Sequence, residues 1–338
     1  MADAVSDTSM LPERILKELL ALWAGLGKQE DTESAAVLRA CAMTLIVASD
    51  TADDIQSTGE TLAMLMREYP SRAIVLRVGK DSPGGLDARV SAQCWTPSGR
   101  RQQICCELIE INSTSGTLVD VSPLLRGLIV PDLPVVLWCR AHRLFETPGF
   151  DELFPLAHTL IVDSSAFDDG VAALVRIARL HLTGHRVADL EWTRLTRWRE
   201  TLSQIFEDPA QLERLASMRE LAIGYRGARP PVAAWYLAAW FQRALGENLR
   251  FRFEREQGLP EGSIHRVELT GPGLSARLSR SNGAIQFQFD SLQCRSVLPG
   301  AGEYDLLREE LSIAGPDRIR DEVLVSAVRL AEADPVPA

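Results

Sequence analysis

Two tryptophans and three arginines crowd into Asp189 to Pro209, DLEWTRLTRWRETLSQIFEDP, in an otherwise acidic chain. Guanidinium groups bind carboxylates, phosphates and carbonyls through a planar fork of donors, so this composition allows a local anion site or a protein contact. At 100° per residue Trp192, Leu195, Trp198, Leu202, Ile205 and Phe206 share one arc, the apolar stripe of a single amphipathic helix. Arg199 falls inside that stripe. Burying its charge unpaired is too costly, so it must reach past the rings or find a partner, and an ion pair that seats the helix is the expectation. Arg194 and Arg197 fall on the solvated side as surface charges. Arg226 and Arg229, in YRGARPP between an expected strand and an expected buried helix, form a second basic spot.

Familiar catalytic signatures are missing. Neither GxGxxG nor GxxxxGK[ST] occurs, and there is no GxSxG elbow or HExxH helix. SPGG at Ser82 to Gly85 and PGAG at Pro299 to Gly302 could offer backbone amides to an anion, but both read as turns. His181 and His185 have i, i+4 spacing, yet Gly184 intervenes at an expected helix end and no third ligand is near, so no metal site is expected. Cys105 and Cys106 are adjacent on an expected strand and point to opposite faces. With Cys94 and Cys139 they are expected as buried apolar groups, and redox chemistry would require distant cysteines to meet in space. Trp235, Tyr236, Trp240 and Phe241 are expected in the core. No catalytic, cofactor-binding or metal-binding residue is assigned, which moves weight toward a protein that binds something.

Positioning these side chains takes a sizeable scaffold. The 338 residues, 46% hydrophobic and 24% charged, suit roughly two domains. A net charge of -10 argues against a general nucleic-acid binder, so any anion site must be local. The opening MADAVSDTSM does not read as a secretory signal, no apolar run approaches the ~20 residues of a membrane span, and six irregularly spaced cysteines do not read as a disulfide framework. A cytoplasmic protein, with neither membrane nor nucleic acid as partner, is the expectation.

Leu11 to Leu26 reads as a docking helix with Leu16, Leu19, Leu20 and Trp23 on one face. Short β-branched runs at Met43 to Ser49, Ala73 to Gly79, Val135 to Arg140 and Thr159 to Ser165 read as buried strands. Helices are expected at Asp50 to Arg67, Ser115 to Leu128 and Gly170 to Thr183, and an antiparallel hairpin at Leu86 to Thr96 with Arg101 to Asn112. Together they predict an N-terminal α/β domain with a mixed sheet, residues 1–186. Residues 187–338 are expected as a second, α+β domain, opened by the tryptophan- and arginine-rich helix. Its strands, at Leu221 to Tyr225, Arg250 to Arg255, Ile264 to Thr270, Leu274 to Arg280, Ile285 to Phe289 and Cys294 to Leu298, form an antiparallel-rich sheet. Its helices are Val232 to Leu245, apolar nearly all round, then Tyr304 to Ile313 and Asp317 to Ala331.

DLEWTRLTRWRETLSQIFEDP resembles the signature D-L-x-W-x-R-L-T-x-W-R-x-x-L-x-x-x-F-x-x-P of the glucose-6-phosphate dehydrogenase assembly protein OpcA family. RACAMTLIV (Arg39 to Val47), YPSRAIVL (Tyr69 to Leu76), CCELIEI (Cys105 to Ile111), DLPVVLWCR (Asp132 to Arg140) and IVDSS (Ile161 to Ser165) extend the resemblance over the first two thirds of the chain. It implies a non-catalytic partner that assembles or allosterically activates glucose-6-phosphate dehydrogenase, in the oxidative pentose phosphate pathway, and itself binds no nicotinamide cofactor. Carried over by motif, the positions of interest are Trp192, Arg194, Leu195, Thr196, Trp198 and Arg199, with Ser71 and Arg72 from YPSR. Two departures stand out: Arg197 occupies a position usually held by proline, and Cys139 follows Trp138 where the family often has a second tryptophan. The alternatives are a sugar-phosphate-binding sensor or enzyme that clamps an anion between Arg72, Arg199 and the Arg226 region, and a pure scaffold whose tryptophan-rich helix is internal.

Overall fold

The structure, a computed structural model, describes residues 12–28, 37–79, 86–99, 101–205, 214–257, 262–272, 274–281, 283–289, 292–297, 300–313 and 315–333. The chain forms two compact units, residues 1–162 with 185–187, and residues 163–184 with 188–338.

The first unit runs α1 (Pro12–Lys28), β1 (Val37–Arg39), β2 (Met43–Asp50), α2 (Ile55–Glu68), β3 (Ser71–Gly79), β4 (Asp87–Trp95), β5 (Gln103–Thr114), α3 (Leu118–Leu128), β6 (Val135–Cys139), two 3₁₀ segments at His142–Glu146 and Phe150–Leu156, and β7 (Thr159–Val162). β2 and β3 are buried along almost their whole length, because strands covered on both faces have no polar side to alternate with. The parallel strands lie in the order β5-β3-β2-β6-β7, which in chain order is 3-2-1-4-5, the doubly wound arrangement. β8 (Val187–Asp189) follows β7 in the order. One crossover is unusual. Between β3 and β5 the chain forms a hairpin strand, β4, antiparallel to β5, and this makes the sheet mixed as expected.

Three local expectations change. α1 runs through Gly25 and Gly27 to Lys28; its buried face is Ile15 and Leu19, and Leu20 is 68% exposed. Leu20 lies 100° from Leu19, beyond a face only two helical rows wide. α2 starts at Ile55, not Asp50, because Asp54 caps it and Asp50 to Asp53 form a turn. Cys94 and Cys105 are not simply apolar filling: they oppose one another across the β4–β5 hairpin and form a disulfide. Strand register, which adjacent cysteines in a sequence do not display, brings them together.

The second unit contains α4 (Gly170–Leu182), α5 (Leu190–Arg194), α6 (Thr196–Ile205), β9 (Glu220–Tyr225), α7 (Val232–Leu245), β10 (Arg250–Arg255), β11 (Ile264–Gly271), β12 (Leu274–Ser281), β13 (Ala284–Phe289), β14 (Leu292–Val297), α8 (Glu303–Ser312) and α9 (Arg318–Ala333). Its sheet is ordered β10-β9-β11-β12-β13-β14, with β9 and β10 parallel and every other pair antiparallel. Strict alternation puts Leu221, Ile223, Val267, Leu269, Leu278, Ile285 and Phe287 inward. α7 is buried on nearly every side, as its composition requires, and α9 packs on both α7 and α4.

The expected single helix over Asp189 to Pro209 is two. Leu195, at φ -81° and ψ -5°, closes α5 with a tightened turn in which its N–H bonds back to Trp192, and α6 begins at Thr196. Trp192, Leu195, Trp198 and Leu202 are buried nonetheless. Phe206 lies outside the described residues, as do SPGG and Pro299.

Candidate functional site

Doubly wound sheets bind ligand phosphates at the carboxyl ends of the strands where the order reverses, against the amino terminus of the next helix. In this unit that point lies between β2 and β6. The turn there is acidic. Asp54 accepts from the Gln56 N–H at 2.9 Å, Asp50 from the Ala52 N–H at 2.9 Å, and Asp53 from the Asp50 N–H at 2.9 Å and from Arg140 at 3.4 Å. A phosphate brought here meets carboxylates already holding amides that a glycine-rich loop would offer it.

Below the sheet's opposite end, Glu107 gathers four elements. Its side chain is 3% exposed and accepts from Arg72 Nε at 2.6 Å, Arg39 Nη2 at 2.8 Å and Trp23 Nε1 at 2.7 Å. Arg72, itself 8% exposed, spends a further donor on the Leu128 carbonyl at 2.7 Å. α1, β1, β3, β5 and the end of α3 are thereby fastened to one another, and Arg72 has become structural. Ser71 beside it is fully buried, and its Oγ has no partner among the described residues.

The signature segment builds a second cluster inside the other unit. Asp189 caps α5: its Oδ1 accepts from the N–H groups of Glu191 and Ser164, each at 3.0 Å, and its Oδ2 from the Tyr236 hydroxyl at 2.8 Å. Arg194 forks onto both oxygens of Asp163 and reaches Glu191 at 2.6 Å and the Ser165 hydroxyl at 2.9 Å. Thr193 donates to Glu310 at 2.5 Å, and Trp192 donates from its ring to Asp317 at 3.0 Å. α5 is thus tied to α7, α8, the start of α9 and the Ser164 turn.

Electrostatics follow from the count of acids. Burial pushes the Glu191 carboxyl up to about 7, against the pull of Arg194. Burial also raises Asp189 and Glu310, and it raises Tyr236, whose hydroxyl faces the Asp189 charge. Burial works the same way on Asp163, but the bonds and charge of Arg194 outweigh it and hold that carboxyl low.

Arg199 makes no ion pair among the described residues. Its guanidinium stacks on the Trp192 ring, 3.7 Å from the centroid, and donates to the Trp192 carbonyl at 3.3 Å and the Thr196 hydroxyl at 3.0 Å. The break at Leu195 exposes that carbonyl as an acceptor, so the charge is seated by a ring and a backbone oxygen. Burial lowers its affinity for a proton. Arg194, expected on the surface, is instead drawn in by Asp163, thirty-one residues upstream. Trp198 is buried. Arg197 is 64% exposed beside Glu200, and Arg229 is 60% exposed beside Asp169 at 3.5 Å. Arg226 is half-buried, and its N–H is held by the Ser263 carbonyl.

Asp163, Asp189, Glu191, Glu310 and Glu107, none of them expected as a partner from the sequence, supply the acids, and Tyr236, expected in the core and buried there, adds its hydroxyl. Asp189 alone carried a local signal, as an acid one residue before the helix. No group of three His, Cys, Asp or Glu side chains fit to hold a metal occurs among the described residues. Nor is any described helix long and apolar enough to cross a membrane.

Sequence comparison finds two adjoining matches. Residues 62–179 match the OpcA family described as glucose-6-phosphate dehydrogenase subunit N-terminal domain, and residues 185–324 match its C-terminal domain. Relatives named OxPP cycle protein OpcA include one from Synechocystis, 29% identical over 65% of this chain and 45% of its own length, and one from Nostoc punctiforme, 29% identical over 56% and 40%. The matched region thus spans less than half the length of these relatives. Among solved structures, a biliverdin reductase from Synechocystis aligns with a TM-score of 0.47 at 7% identity, over 86% of this chain and 97% of that one.

Proposed function

The chain belongs to the OpcA family of glucose-6-phosphate dehydrogenase assembly proteins, and on that premise we propose that it binds a glucose-6-phosphate dehydrogenase and favours its assembled, active form. It acts as a non-catalytic partner without a nicotinamide cofactor of its own. The family match across both units carries this reading, and the chemistry of the two clusters supports it. A catalytic group must exchange protons or bonds with substrate, whereas Asp189, Arg194 and Glu107 are saturated by neighbours. The acidic turn at Asp50 to Asp54 repels the pyrophosphate of a dinucleotide.

Activation is then a shift of population. The partner binds the active conformation of the dehydrogenase more tightly than its alternatives, and moves the equilibrium by that difference in affinity, about 1.4 kcal/mol for each factor of ten. Arg197 and Arg229, the most exposed of the arginines singled out, are the contact residues of this reading, while Trp192, Trp198, Arg72 and Arg199 hold the fold that presents them.

The test is to mix the protein with the glucose-6-phosphate dehydrogenase of its host, then to follow co-elution and the dependence of rate on substrate. A stable complex with a lowered half-saturating substrate concentration is expected. Separate elution and unchanged kinetics would sink the reading.

A further inference from the structure

The six-stranded sheet of the second unit has an outward face whose pattern is self-complementary. Strand register sets two rows across it, from β10 to β14. One row reads Arg252, Ala222, Glu268, Arg277, Gln288, Gln293, and the next Glu254, Gly224, Arg266, Ser279, Gln286, Arg295. Acids occupy only the β10–β9–β11 half. Glu254, Glu268 and Glu220 bind Arg252, Arg266 and Arg250 there, and Glu268 also accepts from Arg277 of β12 at 3.0 Å. The exposed outward positions described on β12, β13 and β14 carry arginine, glutamine and serine, with Val297 at the end of β14, and no carboxylate, although the chain as a whole is at -10. Those side chains line a shallow recess of about 360 Å³.

An open antiparallel face is ordinarily solvated, and in so acidic a protein it should carry acids throughout. This division suggests a partner. A two-fold axis lying along the strand direction, between β11 and β12, turns each row end for end. It places Arg295 over the other copy's Glu254 and Arg277 over its Glu268, and each pairing occurs twice. Gln288 then falls over Ala222. Gln286 falls over Gly224, where the carboxylate of Glu256 lies close enough to the backbone to exclude a Cβ and can accept from the amide. Gln288 and Gln286 therefore meet the smallest residues, Arg277 and Arg295 each meet an acid, and Arg252 and Arg266 fall over the neutral Gln293 and Ser279.

We infer that this face docks a second copy of the chain. Five strand spacings of ~4.8 Å by six residues of ~3.3 Å give roughly 24 by 20 Å. That is on the order of 500 Å² in projection, and the standing arginines and glutamines raise it toward the ~800 Å² per partner of a standard interface.

The mass of the full chain in solution, by light scattering behind a sizing column at micromolar concentrations, should be that of two chains. Arg295→Glu should weaken association at least tenfold while the circular dichroism and Tm stay unchanged. Arg252→Cys with Gln293→Cys tests the register. Within one chain these positions are roughly 24 Å apart, too far for a disulfide, whereas the two-fold places them together across copies. Oxidation should give a covalent dimer that thiols reverse, against a wild-type control for the native cysteines. A single-chain mass at every concentration, a dimer indifferent to Arg295→Glu, or an oxidised double variant that stays monomeric would each overturn the inference, the last two by assigning the contact to another face or occupant.

Discussion

The two buried charge clusters invert each other's stoichiometry. In the first unit one carboxylate, Glu107, serves two guanidiniums and an indole N–H. In the second, Asp163 and Glu191 converge on Arg194, and Asp189 beside them is held by the Tyr236 hydroxyl and two backbone amides. Arg39 is half exposed, but the buried Arg72 has no relief, since arginine does not give up its proton. An excess of carboxyls does, because a buried acid can take one up. The first cluster should therefore be brittle, and the second tolerant and tuned by pH.

The largest effect expected is from Glu107→Gln. It leaves Arg72 buried without its counter-ion and should cost about 3–5 kcal/mol in denaturant unfolding. A loss below about 1 kcal/mol would mean that the Leu128 carbonyl alone holds the charge, and the contrast would collapse. Arg194→Met should cost less, on the order of 2 kcal/mol at pH 8, with the loss shrinking toward pH 5 as the stranded Asp163 and Glu191 take up protons. A pH-independent loss would contradict the account.

Glu191→Gln sharpens the comparison through its sign. With its native pKa raised to about 7 from 4.5, Glu191 keeps a proton that the unfolded chain releases, so its contribution is complete below about pH 4.5 and declines as pH rises through 7. The stability of the wild type relative to the variant should fall across that window and level off above it, as titrated by chemical denaturation. Smallest of all is Arg197→Glu, at an exposed pair worth under about 0.5 kcal/mol. Stability should hold while association with the dehydrogenase weakens and becomes more sensitive to salt.

Much of the architecture was legible because it rests on local periodicity. The unbroken apolar runs of β2 and β3, the alternation of β10 to β13 and the all-round apolar α7 each declare their burial in a few residues. The clusters were not, because Glu107 meets Trp23 across 84 residues and Tyr236 meets Asp189 across 47, and no local pattern specifies such partners. The break at Leu195 did leave a trace. Proline, usual in the family where Arg197 stands, suits the first turn of a helix and not the middle of one, and Arg197 is the second residue of α6. Once that break is placed, the accessible Trp192 carbonyl and the stacking of Arg199 follow, and the need for an ion pair falls away.

The Cys94–Cys105 bond has a consequence for chain connectivity. It closes a ring around the turn between β4 and β5, so the two strands no longer depend on the intervening peptide to stay joined. A protease that cuts after the exposed Arg101 opens the backbone without releasing either fragment. The nicked chain migrates as one species in denaturant and divides in two only when the disulfide is reduced, so this hairpin can lose its covalent turn and still hand the sheet its outermost strand.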